Sequence, residues 1–492
     1  MSTRINMLKQ GYIHYLIALI IGMTLAFAMQ PANGLTRQGV MVISILVPTL
    51  YLWLTTNTHW TSLLLLGMLV MTRVMHPDDV WRGSIGHFAV ITLIVFILLN
   101  QCLKENGVID KIAAWFITRK FVYGRPYAFL SMFFASNLVV GMFMENLSLA
   151  IIYIGIATVL CEKIGVKKGD SLYTCIMLGT LWGNCILSIA SPIAKALPNI
   201  LIGVAYTQLG VSITYGQWFM VGIPFAVVMF AVLMLCVRIF KPDVAPLRNF
   251  NLDEFKRNDP PLDAGGKIAA IVMVIVIMSI ILPEIFVAVG VFRTIGTYLT
   301  SIGVVVPAIL AVALLCLIRV NGKAVMDLPQ SAKGVPIPVL IFTGTVCVMS
   351  LPISSETTGI TAWMGNSLEP LIAGMSPMAV VFALVAGTII MTNFMSNVVS
   401  MILFFNIGVA LLSTGEMNMA AFAVVIAFAA TMACCTPSAA LTSPLFFGPG
   451  HITMQNSFKY NVIFIVLSFV VVMAFLIPFT SAIIRTGMPQ IY

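Results

Sequence analysis

The sequence predicts an all-α polytopic membrane protein of about eleven crossings plus two re-entrant hairpins, arranged as an inverted repeat. Composition gives the first reason: hydrophobic residues make up 60% of the 492, charged residues only 9%, and mean hydropathy is +1.04. A soluble domain is about half apolar and one quarter charged. The second reason is a pair of polar interruptions, Met144-Glu145-Asn146-Leu147-Ser148 and Met395-Ser396-Asn397-Val398-Val399-Ser400. Each sits mid-way in an apolar stretch of about thirty residues, where one crossing needs roughly 20. A helical hairpin can end in mid-membrane only where its freed N–H and C=O groups line protein or a water cavity, which is where transporters bind solutes. The third reason is the placement of basic residues, which follows the positive-inside rule.

The same features exclude other classes. The segments lack period-2 alternation, so a β-barrel is out. The net charge of +9 is spread over loops between spans, so nucleic acid is not a partner. The nine cysteines, among them Cys175, Cys236, Cys316 and Cys347, have no metal-ligand spacing and read as small buried apolar residues. His14, His59, His76, His87 and His451 pair at no metal-binding spacing. The methionines and phenylalanines, 31 of each, read as packing and lipid-facing residues. Tyr12 to Met29 is long enough to span and lacks a small-residue cleavage site, so it reads as the first crossing. There is no P-loop for ATP-driven transport.

In chain order, Arg4 and Lys9 favour a cytoplasmic N-terminus, followed by spans over about Gly11–Met29, Gly39–Thr55 and Thr61–Thr72. Asp78 and Asp79 precede a fourth span, Phe88–Leu103. Asp110–Phe121 sets Ile112, Trp115 and Phe116 against Lys111, Arg119 and Lys120, the pattern of a horizontal interfacial arm. Pro126–Cys161 has basic residues at both ends, Arg125 before it and Lys163, Lys167 and Lys168 after it. A span would change sides, whereas a hairpin returns. The fifth span starts near Asp170, breaks over Gly183-Asn184 through Pro198-Asn199 and continues to Tyr206; the uncharged loop Thr207–Gly216 fits the outside. The sixth, Trp218–Val237, leads into the basic segment Arg238–Lys267.

The second half repeats this plan upside down. Spans over Ile268–Val289, Ile302–Leu317 and Pro336–Leu351 lead to the weakly acidic segment Ser354–Met375. Pro377–Leu412, flanked by Glu356, Glu369 and Glu416 and by no base, reads as a second hairpin inserted from outside. The tenth span, Met419–Phe447, is broken around Thr436-Pro437 through Pro444, and Asn461–Pro478 closes the chain with its end outside. Of the 26 lysines and arginines, only Arg37, Arg73, Arg82, Arg293 and Arg485 then fall outside, and Lys195 falls within the membrane. Opposite insertion of two hairpins, each followed by a broken helix, is the inverted repeat of a secondary transporter. The units divide at 1–87 (scaffold helices), 88–237 (arm, inner hairpin, broken span and sixth span), 238–267 (cytoplasmic linker), 268–351 (scaffold helices) and 352–492 (outer arm, outer hairpin, broken span and last span).

Several stretches resemble the divalent-anion/sodium symporters, the dicarboxylate and citrate transporters of the ion transporter superfamily. They are Gly34-Leu35-Thr36-Arg37-Gln38-Gly39, Ile341-Phe342 through Gly359-Ile360-Thr361-Ala362-Trp363, Met391-Thr392-Asn393-Phe394-Met395-Ser396-Asn397, Trp218 with Gly222 and Pro224, and Phe447-Gly448-Pro449-Gly450-His451. The resemblance covers most of the chain. It implies a homodimer in which a hairpin-bearing transport domain slides as an elevator against a scaffold, with sodium and a carboxylate held at Ser-Asn-Thr tips and at Thr/Ser-Pro-Pro-Asn loops in the broken spans. Here the tips read Glu145-Asn146-Leu147 and Ser396-Asn397-Val398, and the loops offer Ser191-Pro192 or Pro198-Asn199, with Lys195 between, and Thr442-Ser443-Pro444.

Asn146 and Asn397 are the leading substrate-binding candidates, with Ser148, Ser396, Ser191, Pro192, Thr442, Ser443 and Pro444 beside them. An Asn can donate to a carboxylate while its carbonyl accepts from an ordered partner, although an Asn at a tip can also merely cap a half-helix. The half-helix N-termini after each tip would add positive partial charge. Glu145 and Lys195, with Asn184 near them, form a coupling or ion-pair set, because a lone charge at this depth costs at least ~2.5 kcal/mol. Three roles stay open: an ion pair in the space that sodium takes in relatives, a proton-exchanging Glu145, and a Lys195 that contacts the anion. The lost hydroxyls predict that sodium is not required, though it could still bind near Ser396 and Asn397; a proton is the other coupling ion. Glu284 and Glu105 read as span-end residues that snorkel or cap. No catalytic constellation is present, so an enzyme is not expected, and no cofactor is needed. The sequence thus reads as a bacterial inner-membrane carrier of a small organic anion, a di- or tricarboxylate, by exchange or ion coupling. The alternatives are a carrier of another solute, proton-coupled through Glu145, and an ion channel.

Overall fold

The computed structural model describes residues 2–484 except 57–58, 118, 120–121, 123, 194, 249–260, 291, 373, 413–416 and 438. Lys120, Lys256, Arg257, Glu416, Arg485 and the expected outer C-terminus lie outside them. The described chain is almost wholly helical. The first half comprises α1 (Ser2–Ala28), α2 (Arg37–Thr55), α3 (His59–Met71), α4 (Pro77–Gly83), α5 (Phe88–Glu105), α6 (Val108–Ile117), α7 (Pro126–Gly141), α8 (Asn146–Lys163), α9 (Ser171–Ala190), α10 (Ala196–Leu209) and α11 (Tyr215–Phe240). The second half comprises α12 (Ala264–Val289), α13 (Arg293–Ile302), α14 (Val305–Leu317), α15 (Leu328–Ala332), α16 (Ile337–Ser354), α17 (Ile360–Ile372), α18 (Pro377–Thr392), α19 (Asn397–Leu412), α20 (Met419–Ala430), α21 (Ser443–Phe447), α22 (Met454–Val471) and α23 (Ile477–Ile483). A two-residue ribbon, β1 (Arg319–Val320) with β2 (Lys323–Ala324), pairs antiparallel between α14 and α15.

Side-chain caps set many of the helix starts. Thr36 accepts from Gly39 N at α2, Thr214 and Gln217 form a reciprocal capping box at α11, Asp263 accepts from Gly266 N at α12, and Ser376 precedes Pro377 at α18. Each satisfies backbone donors that a helix leaves open. Among the described residues seven helices are long and apolar enough to cross a membrane, or eight if α13 and α14 count as one bent span. The shorter apolar helices include α7, α10, α18, α19 and α20, whereas α8 and α9 are among the seven.

Three features correct the expected elements. The fifth span does not break at Gly183-Asn184: α9 continues unbroken to Ala190, and α10 starts at Ala196. Gly183 there is a packing residue, since a Cβ at this position would meet Asn137 Oδ1 on α7 at 3.0 Å. The second break begins at Thr431, five positions before Thr436, and ends at Thr442. The eighth span is also shorter than expected, because α13 and α14 meet at 72°.

Burial separates the centre from the lipid face. Every residue of α20 is buried, and α9 is buried along its whole length except Ser171 and Ser188. By contrast α12 exposes Ile271, Val274, Ile275 and Met278, and α1 exposes Tyr12, Leu16, Leu19 and Ile20, as helices facing lipid do. The two halves interlock through α10 against α16 and α5 against α14. The two central helices each lead into a break, so unwound backbone lies in the protein interior, where it can be tolerated.

Candidate functional site

The first tip turns over 142–145 between α7 and α8. Glu145 is the N-cap of α8, and its Oε2 accepts from Leu147 N at 2.9 Å and Ser148 N at 3.2 Å. The end of α8 that could attract an external anion is therefore filled by the protein's own carboxylate. Asn146 follows as the first helical residue. Its Nδ2 donates to Ser188 Oγ at 2.8 Å, its Oδ1 accepts from the Lys195 ammonium, and its backbone carbonyl accepts from Asn184 Nδ2 at 3.3 Å. Ser188 Oγ in turn donates to Asn184 O at 2.7 Å.

Among the described residues Glu145 and Lys195 form no ion pair. The lysine is 2% exposed and bonds the Asn146 amide, while Glu145 acts on it only through space. Of the three roles left open above, the direct ion pair is not the geometry found.

The first break, 191–195, is braced from α10 and α11. Ile193 N donates to Ser191 Oγ at 3.1 Å, and Asn199 Nδ2 donates to Pro192 O at 2.9 Å and Lys195 O at 2.6 Å. Tyr215 OH donates to Asn199 Oδ1, and Trp218 Nε1 donates to Ile189 O at 2.7 Å. Ser191 and Pro192 are buried and shape this loop, whereas Pro198-Asn199 already belongs to α10. Gly222 lies so close that a Cβ there would overlap Ala190 O. Gly222→Ala should therefore displace α11 from the end of α9, at a cost of about 1–3 kcal/mol, read as a lower melting temperature of the purified protein together with weaker substrate binding.

The second tip is built differently. Thr392 Oγ1 donates to Asn397 Oδ1 at 3.0 Å and also to Ala430 O. Asn393 fastens the tip to the second break: Oδ1 accepts from Cys434 N at 3.0 Å and Cys435 N at 2.9 Å, and Nδ2 donates to Ile389 O at 2.7 Å and Met432 O at 2.9 Å. Thr436 Oγ1 bonds Asn393 O. The amide nitrogen of Asn397 and the hydroxyl of Ser396, both partly buried, have no partner among the described residues, unlike the fully engaged Asn146 amide. Ser148 is likewise half-buried at the first tip, and its backbone N–H is committed to Glu145.

The second break packs against the middle of α9. Cys185 Sγ of α9 reaches Ala433 O at 3.5 Å, Trp182 Nε1 donates to Asn461 Oδ1 at 2.8 Å, and Asn461 Nδ2 donates to Cys434 O at 2.7 Å. Thr442, Ser443 and Pro444 do not join the second tip. They open α21, which packs on α8 and α9, and Ser443 Oγ caps Ala440 N at 3.2 Å. Ser188, Thr392, Asn393 and the backbone of 430–436 enter the site in their place. Among the described residues no group of three or more His, Cys, Asp and Glu could hold a metal.

A cavity of about 1080 Å³ lies away from the tips. It lies at the far end of α10, between α10, α4 and α16, and is lined by Gln38, Asp79, Arg82, His87, Thr207 and Thr357 among others. Lys195 sits at the opposite end of this 14-residue helix, roughly 20 Å away at helical rise.

Comparisons with known proteins bear on this arrangement. Residues 40–433 match the sequence model of a family described as citrate transporter. A sodium-dependent dicarboxylate transporter of Staphylococcus saprophyticus is 25% identical over 501 aligned positions, covering 96% of this chain and 93% of that protein. An uncharacterized transporter of Methanocaldococcus jannaschii is 25% identical over 305 positions, 60% of each chain.

Proposed function

Because the chain belongs to the citrate transporter family, and is thus a multi-pass membrane transporter rather than an enzyme, we propose that it carries a small di- or tricarboxylate across the cell membrane by exchange or ion coupling. The observation that carries this reading is the buried Lys195 ammonium at the first helix break, held on Asn146 of the first tip. A buried ammonium without a carboxylate partner is a ready site for an anion. Asn397 Nδ2 and Ser396 Oγ, free at the second tip, supply further donors from the other repeat.

The asymmetry of the tips also bears on coupling. At the first, Lys195 occupies the Asn146 oxygen that a cation would otherwise use. At the second, Ser396 and Asn397 remain available, and a sodium-dependent relative supports sodium there. Glu145, which caps α8 as a carboxylate, supports a structural role over proton exchange.

In this reading α7–α8 and α18–α19 are re-entrant hairpins inserted from opposite faces, and with α9–α11 and α20–α23 they form a transport body. It moves as an elevator against α1–α3 and α12–α16 of a homodimer. The N-terminus is cytoplasmic and the C-terminus outside. A thermal-shift screen of purified protein against citrate, succinate, malate and monocarboxylates, with and without sodium, tests the substrate class. Di- or tricarboxylates should raise the melting temperature as their concentration passes saturation. Stabilisation by cations alone, with no response to any carboxylate, would sink the proposal.

A further inference from the structure

Glu284 was expected to snorkel or cap at a span end. It instead lines a separate cavity of about 190 Å³ where α12, the α13–α14 corner and the approach to α11 meet. Its stem lies against Gly216, where a Cβ would overlap Glu284 Cγ, and Thr214 lines the same cavity.

We propose that this cavity holds a sodium ion together with water, with Glu284 as its charged ligand and the hydroxyls of Ser279 and Thr300, which line the same cavity, as further oxygen ligands. Ser279 Oγ donates its proton to Val276 O at 2.6 Å and Thr300 Oγ1 donates to Gly296 O at 2.7 Å. Both hydroxyls therefore have their protons committed and their lone pairs left for a ligand, and both residues line the cavity. Pro283, one residue before Glu284, lacks the N–H that would bond Ser279 O in a regular helix, so that carbonyl is available as well. The 72° corner after Ile302 points the C-terminal end of α13 at the same space. That end carries the negative pole of the helix and its unpaired carbonyls, and broken helices in transporters hold cations in this way.

Among the described residues no base pairs with Glu284 or lines its cavity. The charged side chains on the surrounding helices, Lys267 of α12, Arg293 of α13, Arg238 of α11 and Lys104 of α5, lie at or near the ends away from the cavity. The site sits at the seam between α12 and α11, on opposite sides of the proposed scaffold boundary. A bound cation would thus tie sodium to the relative position of the two bodies.

The test is sodium-dependent thermal stability of purified full-length protein in sodium chloride against equal choline chloride, made in the Asn397→Ala background so that the second tip does not contribute. Sodium should raise the melting temperature of Asn397→Ala, and adding Glu284→Gln should remove that rise. Ser279→Ala, which keeps the carboxylate, should weaken half-saturation by sodium about tenfold, and this variant decides the matter if Glu284→Gln does not fold. The site is refuted if Asn397→Ala alone abolishes the sodium response, if the response survives Glu284→Gln, or if acidification stabilises the protein as sodium does, since the occupant is then a proton. Carboxylate-induced stabilisation of the wild type is read separately, so failure here leaves the proposed substrate class standing.

Discussion

Lys195→Ala is expected to cut carboxylate uptake by at least about thirtyfold, since removing one partner of a buried charge–anion contact costs about 2–5 kcal/mol. The lysine is 2% exposed and its ammonium is fixed by Asn146, so no other basic side chain can reach the same point without rebuilding the break. Folding should be affected far less: the orphaned Asn146 oxygen costs about 1–3 kcal/mol, but the penalty of burying an ammonium disappears with it. Lys195→Arg should not restore transport, because a planar guanidinium does not fit a space shaped for a compact ammonium. Residual uptake by Lys195→Ala should become sodium-stimulated, since Asn146 Oδ1 is then open to an ion. Uptake assays in proteoliposomes, with melting temperature as the control for folding, check each of these outcomes.

Asn393→Ala should have the largest effect on stability. The residue is 4% exposed and its amide makes four hydrogen bonds, two received from the backbone of Cys434 and Cys435 and two given to Ile389 and Met432. Alanine leaves two N–H donors and two carbonyls without this partner, at about 1–3 kcal/mol for each that finds no other. A loss of roughly 3 kcal/mol or more is expected, together with a second hairpin no longer fastened to the break. Asn393→Asp should not rescue it, because a carboxylate accepts from Cys434 and Cys435 but cannot donate to Met432. Thermal denaturation in detergent, followed by tryptophan fluorescence, checks the ordering wild type above Asp and Ala.

The turns between α7 and α8 and between α18 and α19 are legible in the sequence because each is a polar tip at the centre of an overlong apolar run, a signal that lies within some forty residues of chain. The positions of the breaks were less legible. Gly183 looks like a helix breaker, yet its missing side chain serves the approach of Asn137. Pro437 marks the second break, but the unwinding starts at Thr431, where Asn393 captures the backbone from across the hairpin. Ser188 and Asn393 went unassigned as site residues because what defines them is a partner about forty positions away, which no local pattern encodes. The chemistry at Asn146 was half legible. The rarity of Glu145 and Lys195 at mid-membrane depth singled them out, but only the geometry shows the lysine on the amide and the glutamate on its own helix. Glu284 was misjudged because its place near a span end says nothing of the α13–α14 corner that closes over it.

The most direct measurement is counterflow of labelled citrate or succinate in proteoliposomes of the wild type, Lys195→Ala and Asn397→Ala. A carboxylate carrier whose site draws on Lys195 at the first tip and Asn397 at the second predicts saturable counterflow by the wild type that is lost in both variants. Non-saturating flux without counterflow, or wild-type rates in Lys195→Ala, would contradict it.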